Sequence, residues 1–168
     1  MTMSAFDPLR VMRALNAGGV RYVVIGAYAG RILGSPTVTR DLDICHARDR
    51  ANLDALARVL RDLRARLRGV GEDVPFILDA RSLAAGDSFT FTTDAGDVDV
   101  VATPAGTGGY DELVRTAVET DLDGVRVLVA DIDDLIRMKR AAGRPKDLIE
   151  LEVLGALRDE LDALERHG

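Results

Sequence analysis

The chain has 168 residues, enough for one domain with a sizeable core, and 47% hydrophobic against 30% charged residues excludes a disordered polymer. A net charge of −6 gives no encouragement to non-specific nucleic-acid binding, and no apolar run is long enough to span a bilayer as a helix. Cys45 is the single cysteine and His46 and His167 are the two histidines, so neither an internal disulfide nor a Cys/His zinc site can be built.

Any metal is therefore held mainly through oxygen, which points to Mg²⁺ or Mn²⁺. The opening MTMSAFDPLRVM lacks the long apolar core of a signal peptide, so a cytoplasmic protein with no membrane partner is expected. One domain over 1–168 is expected, with a core at about 20–130 and a helical part at about 131–168.

Asp7-Pro8 reads as a cap followed by proline at the first helical position, opening a helix to about Asn16. Arg21–Ile25 reads as a buried strand, Gly26 breaks it, and a short helix follows to Leu33. Gly34-Ser35-Pro36 is a loop, and Thr37–Cys45 is a second strand. Asp49 caps a long helix to about Leu67, in which Leu53, Leu56, Leu60, Leu63 and Leu67 form one buried stripe. Val74–Leu78 reads as a short strand. Ser88–Thr93 and Asp97–Ala102 flank Asp94-Ala95-Gly96 as a hairpin. A short helix is predicted over Tyr110–Ala117, a strand over Val125–Val129, a helix over Ile132–Ala142 and a last helix over Lys146–Leu164. Strands and helices without strict alternation favour an α+β fold with a mixed sheet.

The second strand carries the sharpest signal. Asp41 and Asp43 in TRDLDI share one face, where residues two apart lie roughly 6–7 Å from each other. Two carboxylates so placed repel, and a cation between them removes the repulsion. The hairpin adds Asp97 and Asp99. If its return strand lies beside the first, three or four carboxylates share a face, a pattern that suits phosphoryl or nucleotidyl transfer. Of the second pair, Asp99 lies deeper in its strand and is preferred as the third ligand. Asp97, beside the turn, reads more simply as solvated. Gly26, at the end of a buried strand and the start of a helix, lets backbone N–H groups approach a phosphate, and Ser35 offers a further donor.

VIGAYAGRILGSPTVTRDLDI, GDVDVV and MKRAAGRPKD together resemble the signature of the DNA polymerase β-type nucleotidyltransferase superfamily, in the small bacterial branch that includes abortive-infection toxins. The resemblance covers roughly Val20–Glu152. It implies a nucleotidyltransferase fold with C-terminal helices, Mg²⁺, and transfer of NMP from an NTP to an acceptor hydroxyl on tRNA, protein or a small molecule. It also implies a toxin–antitoxin or phage-defence setting with a cognate antitoxin or other partner chain. By this similarity Asp41, Asp43 and Asp99 are metal ligands and catalytic residues, Gly26, Ala27 and Ser35 lie on the phosphate loop, and Lys139 faces the phosphates. Ala27 stands where a second glycine is usual, and Thr37 where an arginine is often found, with Arg40 nearby. These departures support an alternative, an inactive nucleotide-binding or antitoxin-like module of the same fold.

Other polar groups have simpler readings. Asp131, Asp133 and Asp134 read as a helix cap with first-turn charge. Asp147 reads as a cap or as a partner of Arg144. Arg61, Arg64 and Arg68 read as the solvated flank of the long helix, with a grip on a polyanion as the alternative. Cys45 and His46 have no visible partner for nucleophilic catalysis.

Overall fold

The computed structural model describes residues 5–71 and 73–167. The first four residues of the N-terminal segment lie outside that range. The chain begins with α1 (Pro8–Ala17), where the Asp7 carboxylate accepts from the Arg10 N–H as the sequence leads one to expect. Then come β1 (Tyr22–Ile25), α2 (Gly26–Leu33), β2 (Asp41–His46), α3 (Arg50–Asp62) and β3 (Arg66–Leu67). The second half holds α4 (Ala80–Ala85), β4 (Ser88–Thr93), β5 (Gly96–Val101), α5 (Tyr110–Leu113), β6 (Val118–Leu122), β7 (Val125–Val129), α6 (Ile132–Ala142) and α7 (Pro145–His167).

The strands form one mixed seven-stranded sheet in the order β3-β4-β5-β2-β1-β7-β6. β2 lies parallel to β5 and antiparallel to β1, while β1 and β7 are parallel. With helices flanking the sheet, the expected α+β class with C-terminal helices is what the chain adopts.

Alternation along the central strands decides what faces what. Leu42, Ile44, Val98, Val100 and Phe91 are fully or almost fully buried and enter one hydrophobic cluster with Leu53, Leu56 and Leu60 of α3. Asp41, Asp43, Asp97 and Asp99 fall on the opposite face of the same strands. Buried Asn52 fastens α3 to the strand entering the core, accepting from the Arg21 N–H at 2.7 Å and donating to the Arg21 and Ala47 carbonyls. On the other side, α2 sits against α7 through small residues. A Cβ on Gly30 would lie 3.4 Å from Leu154, and one on Gly34 3.2 Å from Leu157.

Four expectations need correction. The helix predicted to reach Leu67 stops at Asp62, because the chain turns through Leu63 and Arg64, whose φ is +54°. Leu67 therefore lies in β3 and leaves the leucine stripe. Val74–Leu78 is not a strand: Val74 and Ile77 stand exposed, while Phe76 packs with Phe89 and Phe91. The helix predicted to Ala117 ends at Leu113. Three elements have no counterpart in the prediction, the two-residue β3, the short helix α4 and the edge strand β6, whose sequence VETDL is too polar to announce itself.

Candidate active site

Parallel pairing of β2 with β5 places Asp43 opposite Asp99 and Asp41 opposite Asp97. The consequence is a cluster in which carboxylate oxygens of Asp41, Asp43 and Asp99 all lie within 4.8 Å of one another. All three residues are half-buried. Asp41 is oriented by the Thr39 hydroxyl, which donates to its Oδ1 at 2.9 Å. Asp43 is pushed well above the usual carboxylate range, first by burial, then by its hydrogen bond to Asp99 and by the charges of Asp99 and Asp41, with Lys139 acting in the opposite sense.

Asp97 is placed differently. It accepts from the Thr92 hydroxyl at 3.1 Å and pairs with Arg68 at 3.0 Å. The same guanidinium donates through Nη2 to Asp99 Oδ1 at 2.6 Å. Arg68 is thus not on the solvated flank of α3. The turn at Leu63-Arg64 carries it past β3, where its backbone N–H donates to the Thr90 carbonyl and its side chain spans the two aspartates of β5. The sequence contained no glycine at that turn to reveal it, so Arg68 was the residue missed. Arg64 stays outside, paired with Asp94, and Arg61 donates to the Leu78 carbonyl.

A cavity of about 390 Å³ opens beside the carboxylates. Its walls include Gly26, Ala27, Ser35, Asp43, Asp99 and Lys139, so those six of the seven predicted site residues share it, while Asp41 sits at the cluster outside its lining. Gly26 starts α2 with φ +73°, and a Cβ there would fall on the Asp43 carboxylate, 2.8 Å from its Cγ and 2.9 Å from its Cβ. Only glycine lets the helix start and the aspartate occupy adjoining space. Ser35 is buried, donating to the Thr37 hydroxyl at 3.1 Å and accepting from the Thr37 N–H at 3.2 Å. Thr37 lines the cavity, whereas Arg40 is exposed and does not.

Lys139, on α6, reaches the cavity wall in the company of two carboxylates of α7: Asp147 at 3.3 Å and Glu150 at 2.7 Å. Asp147 has no exposed surface and also accepts from the Arg144 N–H and guanidinium, which hold its carboxyl down at about 2. Its pairing with Arg144 matches the sequence reading, and Glu150 is a second partner that the sequence did not single out. Asp131 caps α6 by accepting from the Asp134 N–H at 2.8 Å, as expected. Cys45 and His46 lie apart from the cavity lining. Burial pushes the Cys45 thiol up to about 12 and lowers the His46 imidazole.

The donor set fits a hard divalent cation: three oxygen ligands converge from two adjacent strands, and among the described residues Arg68 is the cation in ion-pair contact with any of them. No helix among the described residues is long and apolar enough to cross a membrane.

No protein-family model matches the sequence, and no curated protein does. Solved structures do match. The lincosamide antibiotic adenylyltransferase LnuA, in its lincomycin-bound crystal structure, superposes with a TM-score of 0.61 at 13% identity, covering 89% of this chain and 95% of LnuA. The solution structure of the antibiotic-resistance factor ANT(2'')-Ia gives 0.53 at 17% identity over 95% of this chain and 94% of its own. A proposed nucleotidyltransferase from Thermotoga maritima gives 0.52 at 14% identity over 95% and 97%. This chain has the nucleotidyltransferase fold. At these identities the likeness concerns the path of the backbone, and the chemistry rests on the residues described above.

Proposed function

We propose that this protein is a metal-dependent nucleotidyltransferase that moves NMP from an NTP to an acceptor hydroxyl. The observation that carries the reading is the in-register meeting of Asp43 with Asp99, joined by Asp41, at the mouth of a cavity that also holds Gly26 and Lys139. Asp41, Asp43 and Asp99 would hold Mg²⁺ or Mn²⁺. Such a cation, when bound, neutralises phosphate charge and polarises the phosphorus under attack.

The chain's own residues supply the rest. Gly26 opens the start of α2 so that its free N–H groups can meet phosphate oxygens, with Ala27 and Ser35 beside it. Lys139 adds a cation at the same wall. Asp99, on the inner strand of the hairpin, accepts the proton of the acceptor hydroxyl at a carboxylate oxygen as that hydroxyl attacks the α-phosphorus, and pyrophosphate leaves on the opposite side. Positioning and charge stabilisation provide most of the rate.

The acceptor belongs to one of three classes: a tRNA end, a protein hydroxyl or a small molecule. LnuA is named for a lincosamide antibiotic and was solved with lincomycin bound, which favours the third class here. A toxin–antitoxin or phage-defence role, with a cognate partner chain, rests on the sequence resemblance alone. The test has two stages. A thermal-shift screen of the four NTPs with and without Mg²⁺, on wild type and Asp43→Ala, names the donor. Transfer of label from that NTP's α-phosphate to tRNA, protein or a small-molecule extract then names the acceptor. Mg²⁺-dependent NTP binding without label transfer to any of the three fits the inactive module instead. No Mg²⁺-dependent binding of any NTP removes the reading altogether.

A further inference from the structure

The guanidinium of Arg68 lies across Asp97 and Asp99 in a fork, at 3.0 Å and 2.6 Å. Each end of the fork is fixed. The Arg68 backbone is tied to Thr90, the residue opposite Asp99 in the β4–β5 ladder. Asp97 is tied to Thr92, opposite it in the same ladder. Arg68 is about one-third exposed and Asp99 about one-fifth, so the pair is sheltered and screened less than a surface contact.

Asp99 thus has two claims on it. Its Oδ1 accepts a charge-assisted hydrogen bond from Arg68, while the same carboxyl joins the cluster with Asp41 and Asp43. A positive group standing there relieves repulsion among the carboxylates in the way a bound cation would. It also repels that cation and ties one oxygen of a carboxylate the cation would use.

We propose that Arg68 is the resident counter-ion of Asp99, and that it sets the divalent-cation affinity of the site by competing for that carboxylate. The inference rests on the metal-dependent reading above. It gives Asp97 a distinct part: Asp97 anchors the competing arginine and is not a ligand. Arg68 is a positioning residue, acting through Asp99.

The competition is measurable without turnover. Mn²⁺ is titrated calorimetrically into the metal-free full chain, without nucleotide, for wild type, Arg68→Met, Arg68→Lys and Arg64→Met. Melting temperatures are taken in EDTA and in Mn²⁺. Arg68→Met is expected to bind Mn²⁺ about tenfold more tightly, the scale on which one neighbouring charge acts on an ionisable group. It should melt lower than wild type in EDTA and recover most of the difference in Mn²⁺. Arg68→Lys, whose compact ammonium cannot span both aspartates, should fall between. Arg64→Met, which removes an equal charge from the Asp94 pair outside the site, should match wild type. Unchanged or weaker Mn²⁺ binding in both Arg68 variants overturns the proposal and leaves the site reading standing, as does an equal loss of melting temperature in both buffers. Absence of Mn²⁺ binding in every protein overturns both. If Arg68→Met does not fold, Arg68→Lys against wild type decides the matter.

Discussion

The cavity has two charged walls, and they are balanced differently. On the α6–α7 wall, Lys139 and Arg144 meet Asp147 and Glu150, cations and carboxylates in equal number. On the β2–β5 side, Asp43 and Asp99 line the cavity with Asp41 and Asp97 beside them, and Arg68 is ion-paired to the two aspartates of β5. The first wall is complete as it stands: its most buried member, Asp147, is saturated with donors, and its carboxyl is held low for that reason. The second leaves charge over, and Asp43 is driven upward first by burial and then by its acidic neighbours. Unbalanced charge is costly in a partly buried site unless a ligand brings the remainder. The contrast separates a wall whose charges cancel from one that, in the proposed function, a cation completes.

The strongest way to break that contrast is at Asp43. Asp43→Ala should lower label transfer by about a thousandfold, the scale of losing one preorganised electrostatic stabiliser. In metal-free buffer the variant should melt at or above the wild-type temperature, because a repulsion has gone. A large loss of stability there would make Asp43 a structural residue and erase the distinction. Gly26→Ala tests the same wall from the helix side. Its φ of +73° and the collision with Asp43 predict a loss of about 2 kcal/mol in denaturant titrations, together with weaker NTP binding. Retention of both would show that α2 can shift away from the aspartate.

The balanced wall makes the opposite kind of prediction. Asp147→Asn should cost about 2 kcal/mol at neutral pH, the scale of hydrogen bonds to a charged group that is otherwise out of water. The wild-type carboxyl is held at about 2, below its unfolded value of about 3.9, so its contribution is complete above about pH 4 and drains as the pH falls toward 2. A stability profile of the Asn variant should lack that decline, and a profile parallel to wild type would show that the pairing is worth nothing. The smallest effect is expected at Lys139, which both walls claim. Lys139→Ala should weaken NTP binding by about tenfold, the scale of one charge-assisted contact, and NMP binding less. Equal weakening of the two would remove Lys139 from the triphosphate end.

Much of this site can be read in the sequence because its residues carry their own local signals. Alternation in TRDLDI and GDVDVV puts the aspartates on one face, and a short turn makes the hairpin. The α6 boundaries follow from Asp131 and Gly143, a side-chain cap and a left-handed stop. What escaped has no such signal. Arg64 adopts positive φ without being glycine, so nothing in the sequence ends α3 there, and the spacing alone puts Arg68 on a solvent-facing helix. β6 is an edge strand with one face of polar residues, and among the described residues it pairs only with β7. Val74–Leu78 has strand-like composition, but its Phe76 finds neighbours in aromatic packing, not in a ladder. These are tertiary outcomes, fixed by which surface each segment meets.

The contact between Gly26 and Asp43 has a historical consequence. A side chain at 26 collides with the Asp43 carboxylate and sits at a φ of +73° that strains it. A descendant that acquires a side chain at 26 while keeping the carboxylate at 43 bears both the collision and the strain, whereas one that gives up the carboxylate first bears only the strain at φ +73°. Acquiring the side chain first carries the larger loss, about 2 kcal/mol as expected of Gly26→Ala. The two positions, seventeen residues apart in the chain, would be inherited as one character.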